Sequence, residues 1–353
     1  MIALPEHCPL GRAEDDMGLG FRTLFLSLGL TLSMACSAAN ERALGNESGG
    51  SAGLAGMGAG GSSASGGSGG VTIQGGSGGA AGAPAECRNV DILFVIDRSG
   101  SMADNQISLI NSFPGFIGAI QQKLQFADSY HVGVVSSDDN FENAPGCQKI
   151  GDLVTQTGGP LSSQAMCGPF ASGKRYLDEK EPNIAGKFAC VAQVGSGGND
   201  DERVARAMLN AVKTENNAPG ACNAGFARLD SLLIVVLITD EDDAPDQCSE
   251  PDPFSPCGCK TCGSGGDPDA WYQELLSYKG GIKENIVVLS LIGLKANNAC
   301  GAVPASKLIG FTNKFGANAY KGDVCAASYD GFFAETLPVI DQACEKYVPP
   351  PVK

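Results

Sequence analysis

The residues best suited to chemistry in this sequence stand together in the run Asp97-x-Ser99-x-Ser101. One carboxylate and two hydroxyls are hard oxygen ligands, which suit Mg²⁺, Mn²⁺ or Ca²⁺ rather than zinc or copper. Alone the pattern is a weak signal, because Asp, Ser and Gly are common in ordinary turns. Its position strengthens it, since residues 90–96 directly before it are apolar and β-branched, which predicts a strand buried on both faces. Ligands of open α/β sheets bind where such strands end.

A second buried strand is predicted at residues 232–238, and it ends in Thr239 and Asp240. Three further acidic residues follow, namely Glu241, Asp242 and Asp243. Two interpretations of this acidic run stay open. In one it forms a second cation site, with Ca²⁺ as a candidate and Asp138 or Asp139 as additional ligands, because a cation relieves the repulsion between adjacent carboxylates. In the other it is a solvated acidic loop.

The elements around these loops alternate between strands and helices. Further strands are predicted at residues 130–136, 286–292 and 318–321. Apolar residues at three- and four-residue steps from Ile107 onward predict a helix that is bent or interrupted near Pro114. Another helix is predicted to begin near Val204, with the acidic residues before it as its cap. This order indicates an α/β fold with a doubly wound, mostly parallel sheet and helices on both faces.

Together these features resemble the von Willebrand factor type A domain, over residues 87–345. In that family three loops form a metal-ion-dependent adhesion site. The resemblance implies that these residues at matching positions are metal ligands: Asp97, Ser99, Ser101 and Asp240. The family's remaining hydroxyl ligand is usually a threonine in a loop before a helix. This sequence has no threonine there, and Ser196 is the nearest match.

Such a site carries little negative charge for a divalent ion, so it leaves a position open for an acidic group of a partner. The expected cofactor is a divalent cation, Mg²⁺ before Mn²⁺ or Ca²⁺. The expected function is non-enzymatic capture of a protein or other extracellular partner through that cation. Two alternatives stay open, a structural envelope component with a vestigial site and a metal-dependent hydrolase. The scarcity of histidine counts against the hydrolase, since the sequence holds only His7 and His131.

Cysteine is frequent, with 14 in the chain. The run Cys257-x-Cys259-x-x-Cys262, with Cys248 upstream, is compatible with a zinc site, but oxidation to disulfides is favoured in an exported chain. A bond between Cys87, before the first strand, and Cys344, in the last helix, would join the two ends of the domain. The cysteines after the N-terminal region are all disulfide candidates: Cys87, Cys147, Cys167, Cys190, Cys222, Cys248, Cys257, Cys259, Cys262, Cys300, Cys325 and Cys344.

The N-terminal region predicts export. Residues 1–39 contain a short apolar stretch typical of a signal segment, and Cys36 ends a run that resembles a bacterial lipobox, in which the cysteine is lipidated. Residues 40–85 are rich in Gly, Ser and Ala and hold too little apolar surface to fold, so they are expected to be a disordered linker. The expected location is the cell envelope, at the outer membrane or cell surface through the lipid, or outside the cell if cleavage is ordinary.

The folded domain is expected at residues 86–346. It should carry cysteine-rich insertions near residues 140–190 and 244–267, and a proline-rich tail at 347–353 should follow it. The net charge of −15 argues against nucleic-acid partners and against a charge-driven membrane contact, while it is compatible with cation binding.

Overall fold

A computed structural model describes residues 87–123, 127–199, 201–244 and 263–351, which belong to one compact unit. The predicted signal segment, the lipidation site Cys36 and the linker lie outside these residues. Four cysteines of the second insertion also lie outside them: Cys248, Cys257, Cys259 and Cys262. Among the described helices, none is both long and apolar enough to cross a membrane.

The described strands form one six-stranded sheet in the order β3-β2-β1-β4-β5-β6. They are β1 (Asn89–Ile96), β2 (Ser129–Ser136), β3 (Leu177–Asp178), β4 (Leu232–Ile238), β5 (Ile286–Ile292) and β6 (Ala319–Asp323). Neighbouring strands run parallel, except that β3 pairs with β2 in the antiparallel direction. The predicted α/β class and mostly parallel sheet are therefore confirmed.

Seven helices are described, of which six lie between strands in the sequence and α7 follows the last strand. They are α1 (Ala103–Lys123), α2 (Ile184–Ala192), α3 (Val204–Val212), α4 (Thr214–Asn217), α5 (Pro268–Tyr278), α6 (Ser306–Asn313) and α7 (Asp330–Glu345). Short 3₁₀ turns precede α1, β5 and β6, at Gly100–Met102, Lys283–Asn285 and Gly316–Asn318.

The side chains of β1 alternate between two apolar layers, one on each face of the sheet. Phe94 lies in the layer that includes α1, α2 and α7, where its ring contacts those of Phe113 and Phe188. Val95 lies in the opposite layer, with residues of α3, α5 and α6. Because both faces of the strand are covered, the sequence of β1 reads as a continuous apolar run. The same burial makes β1 a rigid base for the loop that follows it.

The first helix differs from the prediction in two details. α1 continues through Pro114, although proline removes one intrahelical hydrogen bond. The burial of Phe113, Phe116 and Ile117 against the sheet offsets that loss. Ile107, which the spacing placed on the apolar face, is 51% exposed. Gln106 and Leu109 are buried instead, so the buried face of the helix is rotated away from Ile107.

The first insertion holds more regular structure than its composition indicates. It contains β3 and the helix α2, and Phe188 of that helix is fully buried. Four disulfides connect described residues: Cys87–Cys344, Cys147–Cys222, Cys167–Cys190 and Cys300–Cys325. The predicted bond between the two ends of the domain is confirmed. Disulfides in this number are typical of extracellular and cell-surface proteins.

Candidate metal-binding site

The loops after β1 and β4 lie side by side at the carboxyl end of the sheet. The two strands are parallel neighbours, and Ile96 pairs with Ile238 at their last shared position. The backbone N–H of Asp97 donates to the carbonyl oxygen of Ile238 at 3.0 Å. This hydrogen bond holds the two backbone segments together where they leave the sheet. The register of the strands therefore brings Asp97 and Asp240 to the same edge, as the predicted site requires.

Asp97 is fully buried and is held by two neutral donors. Its Oδ1 accepts the N–H of Ser99 at 2.7 Å, and its Oδ2 accepts the hydroxyl of Thr239 at 2.7 Å. Burial raises the pKa of Asp97 to about 6, although both donors favour the charged form. The carboxylate is thus fixed in orientation while its charge is poorly compensated.

Three more predicted ligands form a hydrogen-bonded chain next to Asp97. The hydroxyl oxygens of Ser99 and Ser101 lie 3.1 Å apart, and the Ser101 hydroxyl donates to Asp240 Oδ1 at 3.0 Å. Burial also raises the pKa of the Asp240 carboxyl. Ser99 is buried while Ser101 is exposed, so the chain leads from the interior to the surface. The structure therefore brings together the four predicted ligands that lie in the loops after β1 and β4.

Ser196 is placed differently. It is partly exposed, and its backbone N–H donates to the carbonyl oxygen of Pro160 at 2.9 Å. Nearby, the N–H of Gly198 donates to the carbonyl of Arg98 at 2.9 Å, and a Cβ at Gly198 would lie 2.8 Å from that oxygen. The described hydrogen bonds thus tie the loop of Ser196 to backbone beside the first loop, and none of them joins Ser196 itself to Asp97.

Glu202 is the residue that the sequence reasoning missed. It lies two positions before Val204, where α3 begins, and it is 1% exposed. Neither of its carboxylate oxygens has a hydrogen-bond partner with good geometry among the described residues. Burial and then the negative charges of Asp97 and Glu241 raise its pKa to about 10. A carboxyl group from the loop before α3 therefore lies close to Asp97. The resemblance to the von Willebrand factor type A domain implies a hydroxyl ligand from this loop.

The acidic run after β4 contains two residues with structural partners. Asp242 accepts the backbone N–H of Lys307 at 2.9 Å, in the first turn of α6. Asp243 is buried and accepts the N–H of Ala205 at 3.0 Å and the hydroxyl of Ser264 at 2.6 Å. Carboxylates at helix N-termini satisfy backbone donors and favour the helix dipole. The cap of α3 thus comes from Asp243, and not from the acidic residues before the helix.

The other residues considered for a second cation are also engaged. Asp138 forms an ion pair with Arg203, and Asp139 accepts the backbone N–H of Ile150 at 2.8 Å. Glu241 donates its N–H to the Thr239 hydroxyl at 3.1 Å. The second-cation interpretation stays a prediction, but most of the carboxylates assigned to it already hold loops and helices in place.

The donor set favours a cation bound by mixed oxygen ligands. Among the described residues, no three His, Cys, Asp or Glu side chains form a group that could hold a metal by themselves. A metal at this edge would therefore need the hydroxyls of Ser99 and Ser101 beside the carboxylates. The unpartnered oxygens of Glu202 fit such an ion, because a buried carboxylate without a partner is costly.

Comparisons with known proteins give little further guidance. Neither the family models nor the curated proteins include a match to the chain. Among solved structures, the proximal thread matrix protein 1 of the mussel byssus matches with a TM-score of 0.38 and 14% identity, over 73% of this chain and 49% of that chain. The pilus adhesin SpaC of Lactobacillus rhamnosus GG matches with a TM-score of 0.37 and 15% identity, over 73% of this chain and 30% of that chain.

The chain thus spans about half or less of the length of these two proteins. Similarity at this level carries no argument about function, which has to come from the site itself.

Proposed function

We propose that the protein is an exported binding protein of the von Willebrand factor type A kind, which captures its partner through a divalent cation. The observation that carries this proposal is the meeting of two distant loops at one sheet edge. Ser101 donates to Asp240 across 139 positions of sequence, next to the buried Asp97. The residues that would hold the cation are Asp97, Ser99, Ser101 and Asp240, and Mg²⁺ is the expected ion.

The contacts support distinct roles for these residues. Asp97 is held in one orientation by Thr239 and by the Ser99 N–H, so it can serve as a fixed anionic ligand. The Ser101 side chain is exposed and its hydroxyl donates to the buried Asp240 carboxylate, so a partner can approach the site from the side of Ser101. A bound cation would supply a positive centre to which an oxygen atom of the partner binds. The site is proposed to bind and not to catalyse, so the non-enzymatic assignment stays a prediction.

The surroundings of the domain support a role outside the cytoplasm. Four disulfides connect described residues, and such bonds persist in oxidising compartments. Lipidation at Cys36 and a disordered linker at residues 40–85 would let the domain reach away from a membrane to find its partner. These last two features are predictions from the sequence.

Calorimetric titration of Mg²⁺, Mn²⁺ and Ca²⁺ into the oxidised, chelator-treated full chain tests the proposal. Saturable binding to the wild type is expected, and Asp97→Asn should abolish it, because that change removes a fixed charged ligand. Asp104→Asn is the matched control, since Asp104 is exposed in the first turn of α1 and should leave binding unchanged. Equal binding by wild type and Asp97→Asn would refute the proposal.

A further inference from the structure

Glu202 is a buried acidic side chain that no basic group in the described residues pairs with. Glu202 is 1% exposed, and neither of its carboxylate oxygens has a hydrogen-bond partner with good geometry among the described residues. Buried polar groups in proteins are nearly always paired, so each exception calls for an explanation such as a bound ion. Burying an unpaired carboxylate is costly enough that a neutral packing role would favour another residue type.

The backbone places Glu202 at the same edge as the other candidate ligands. Its carbonyl oxygen accepts the N–H of Ala244 at 2.8 Å, which joins the start of α3 to the loop after β4. The backbone N–H of Asn199, in the preceding loop, donates to Asp138 at 2.9 Å, just after β2. The groups that act on the Glu202 carboxyl are Asp97, Glu241 and Ser137, each of which follows a strand of the sheet.

We propose that Glu202 is a third carboxylate ligand of the cation and stands in for the hydroxyl that Ser196 was expected to provide. This inference rests on the proposed function, because it concerns the same cation. With it, the proposed ligand set comprises three carboxylates and two hydroxyls from three separate loops. Because the described carboxylates do not form a ready three-carboxylate group, their side chains would have to close on the ion as it binds. Such a set binds a divalent ion without help from a partner, since affinity for hard cations rises with the number of charged ligands.

The extra charge also changes the chemistry of the partner. Three carboxylates around one divalent ion leave the loaded site with a net negative charge, which disfavours an acidic side chain as the last ligand. The partner therefore contributes a neutral oxygen, such as a hydroxyl or a carbonyl. This differs from the acidic partner that the sequence pattern alone predicts.

The first experiment titrates Mg²⁺ and Mn²⁺ into the full chain and into two variants, Glu202→Gln and Glu202→Thr. Glutamine keeps the size and removes the charge, while threonine supplies the hydroxyl usual in the related family. Both changes should weaken cation binding by roughly tenfold or more, because they remove a charged ligand. Glu284→Gln, at an exposed glutamate, is the matched control and should bind as the wild type does. Thermal unfolding of each variant in chelator checks that it is folded.

The second experiment repeats the titrations in sodium acetate and in sodium chloride at equal ionic strength, with acetate as the probe for an acidic group. Acetate should leave the wild-type affinity for Mg²⁺ unchanged. It should strengthen Mg²⁺ binding to Glu202→Thr at least about twofold, because acetate can replace the carboxylate that this variant has lost. Stronger Mg²⁺ binding to the wild type in acetate would overturn the assignment of a neutral partner group.

The outcomes separate this inference from the proposed function. If both Glu202 variants bind cations as tightly as the wild type while Asp97→Asn does not bind, Glu202 is not a ligand and the site stands without it. If the wild type binds no cation, the proposed function fails and the inference fails with it.

Discussion

Strand β1 carries a buried aspartate near each of its ends, and the two have opposite surroundings. At the amino end, Asp91 accepts from the Arg228 guanidinium at 2.6 Å, lies 3.3 Å from His131 Nδ1 and accepts the Ser231 hydroxyl. Beyond the carboxyl end, the described hydrogen bonds of Asp97 come from the Ser99 N–H and the Thr239 hydroxyl. Both aspartates are fully buried, so burial does not distinguish them.

The difference lies in how each charge is balanced. A guanidinium and several hydrogen bonds balance Asp91 from within the chain, which is the arrangement of a structural ion pair. Asp97 has neutral donors and stands near two other carboxylates, Glu202 and Asp240. We interpret the group around Asp91 as stabilising the fold and the group around Asp97 as a site that binds a cation from solution.

Asp91→Asn should lower the free energy of unfolding by about 3–5 kcal/mol, because it leaves the partly buried Arg228 without its counter-charge. Urea denaturation of the full chain measures the effect. Added Mg²⁺ should not restore the loss, since the candidate ligands Asp97 and Asp240 lie at the opposite end of the sheet. Arg88→Met, which removes an exposed ion pair with Asp128, should barely move the midpoint. A loss below about 1 kcal/mol for Asp91→Asn would break the comparison.

The carboxyl end should lose stability as the pH rises in the absence of cations. Burial raises the pKa of Asp243 to about 6, from an ordinary value of 3.8. The folded state therefore holds the proton more tightly, and its stabilisation is complete below about pH 4 and lost as the pH rises through 6. A shift of this size corresponds to about 3 kcal/mol. Asp243→Asn should reduce the slope of urea unfolding against pH, and the slope that remains comes from Asp97, whose pKa is also raised to about 6. An unchanged slope would contradict the assignment.

Saturating Mg²⁺ should stabilise the wild type, because the ion binds only the folded site. At a concentration one hundred times the Kd, the free energy of unfolding should rise by about 2.7 kcal/mol. Chelator should reverse the increase, and Asp97→Asn should show none of it. Thermal unfolding with and without the ion measures the effect. An equal gain in Asp97→Asn would place the stabilising ion elsewhere.

Asp97→Asn should stabilise the chelator-treated protein by roughly 1–2 kcal/mol, which is opposite in sign to Asp91→Asn. The amide still accepts the Ser99 N–H while it removes a buried negative charge. Urea denaturation in chelator measures the change. If this variant is destabilised as much as Asp91→Asn, the Asp97 carboxylate is structural and the two ends of β1 are alike.

The parts of the fold that the sequence predicted best are those that bury both faces. β4 and β5 coincide residue for residue with the predicted segments 232–238 and 286–292. A continuous apolar run marks such strands. α2 was missed because Gly, Pro and Cys surround a periodic segment of only nine residues.

The ligands of the candidate site could be predicted where they stand close together in one loop. They could not be predicted where tertiary packing brings a distant residue to the site. Asp97, Ser99 and Ser101 could be chosen from their spacing and from the strand before them. Glu202 could not, because an acidic residue before a helix usually caps it in solvent. Its burial follows from the packing of α3 against β1 and β2, which the local sequence does not encode. The same reason hid the capping role of Asp243, whose helix lies earlier in the chain.

The disulfide between Cys87 and Cys344 has a mechanical consequence. It joins Cys87, two positions before β1 begins, to the last turn of α7 across 257 positions of sequence. Tension applied between the segment before Cys87 and the segment after Cys344 passes through the two sulfur atoms and bypasses the sheet. The domain can therefore transmit tension between these two segments while the loops after β1 and β4 stay in register.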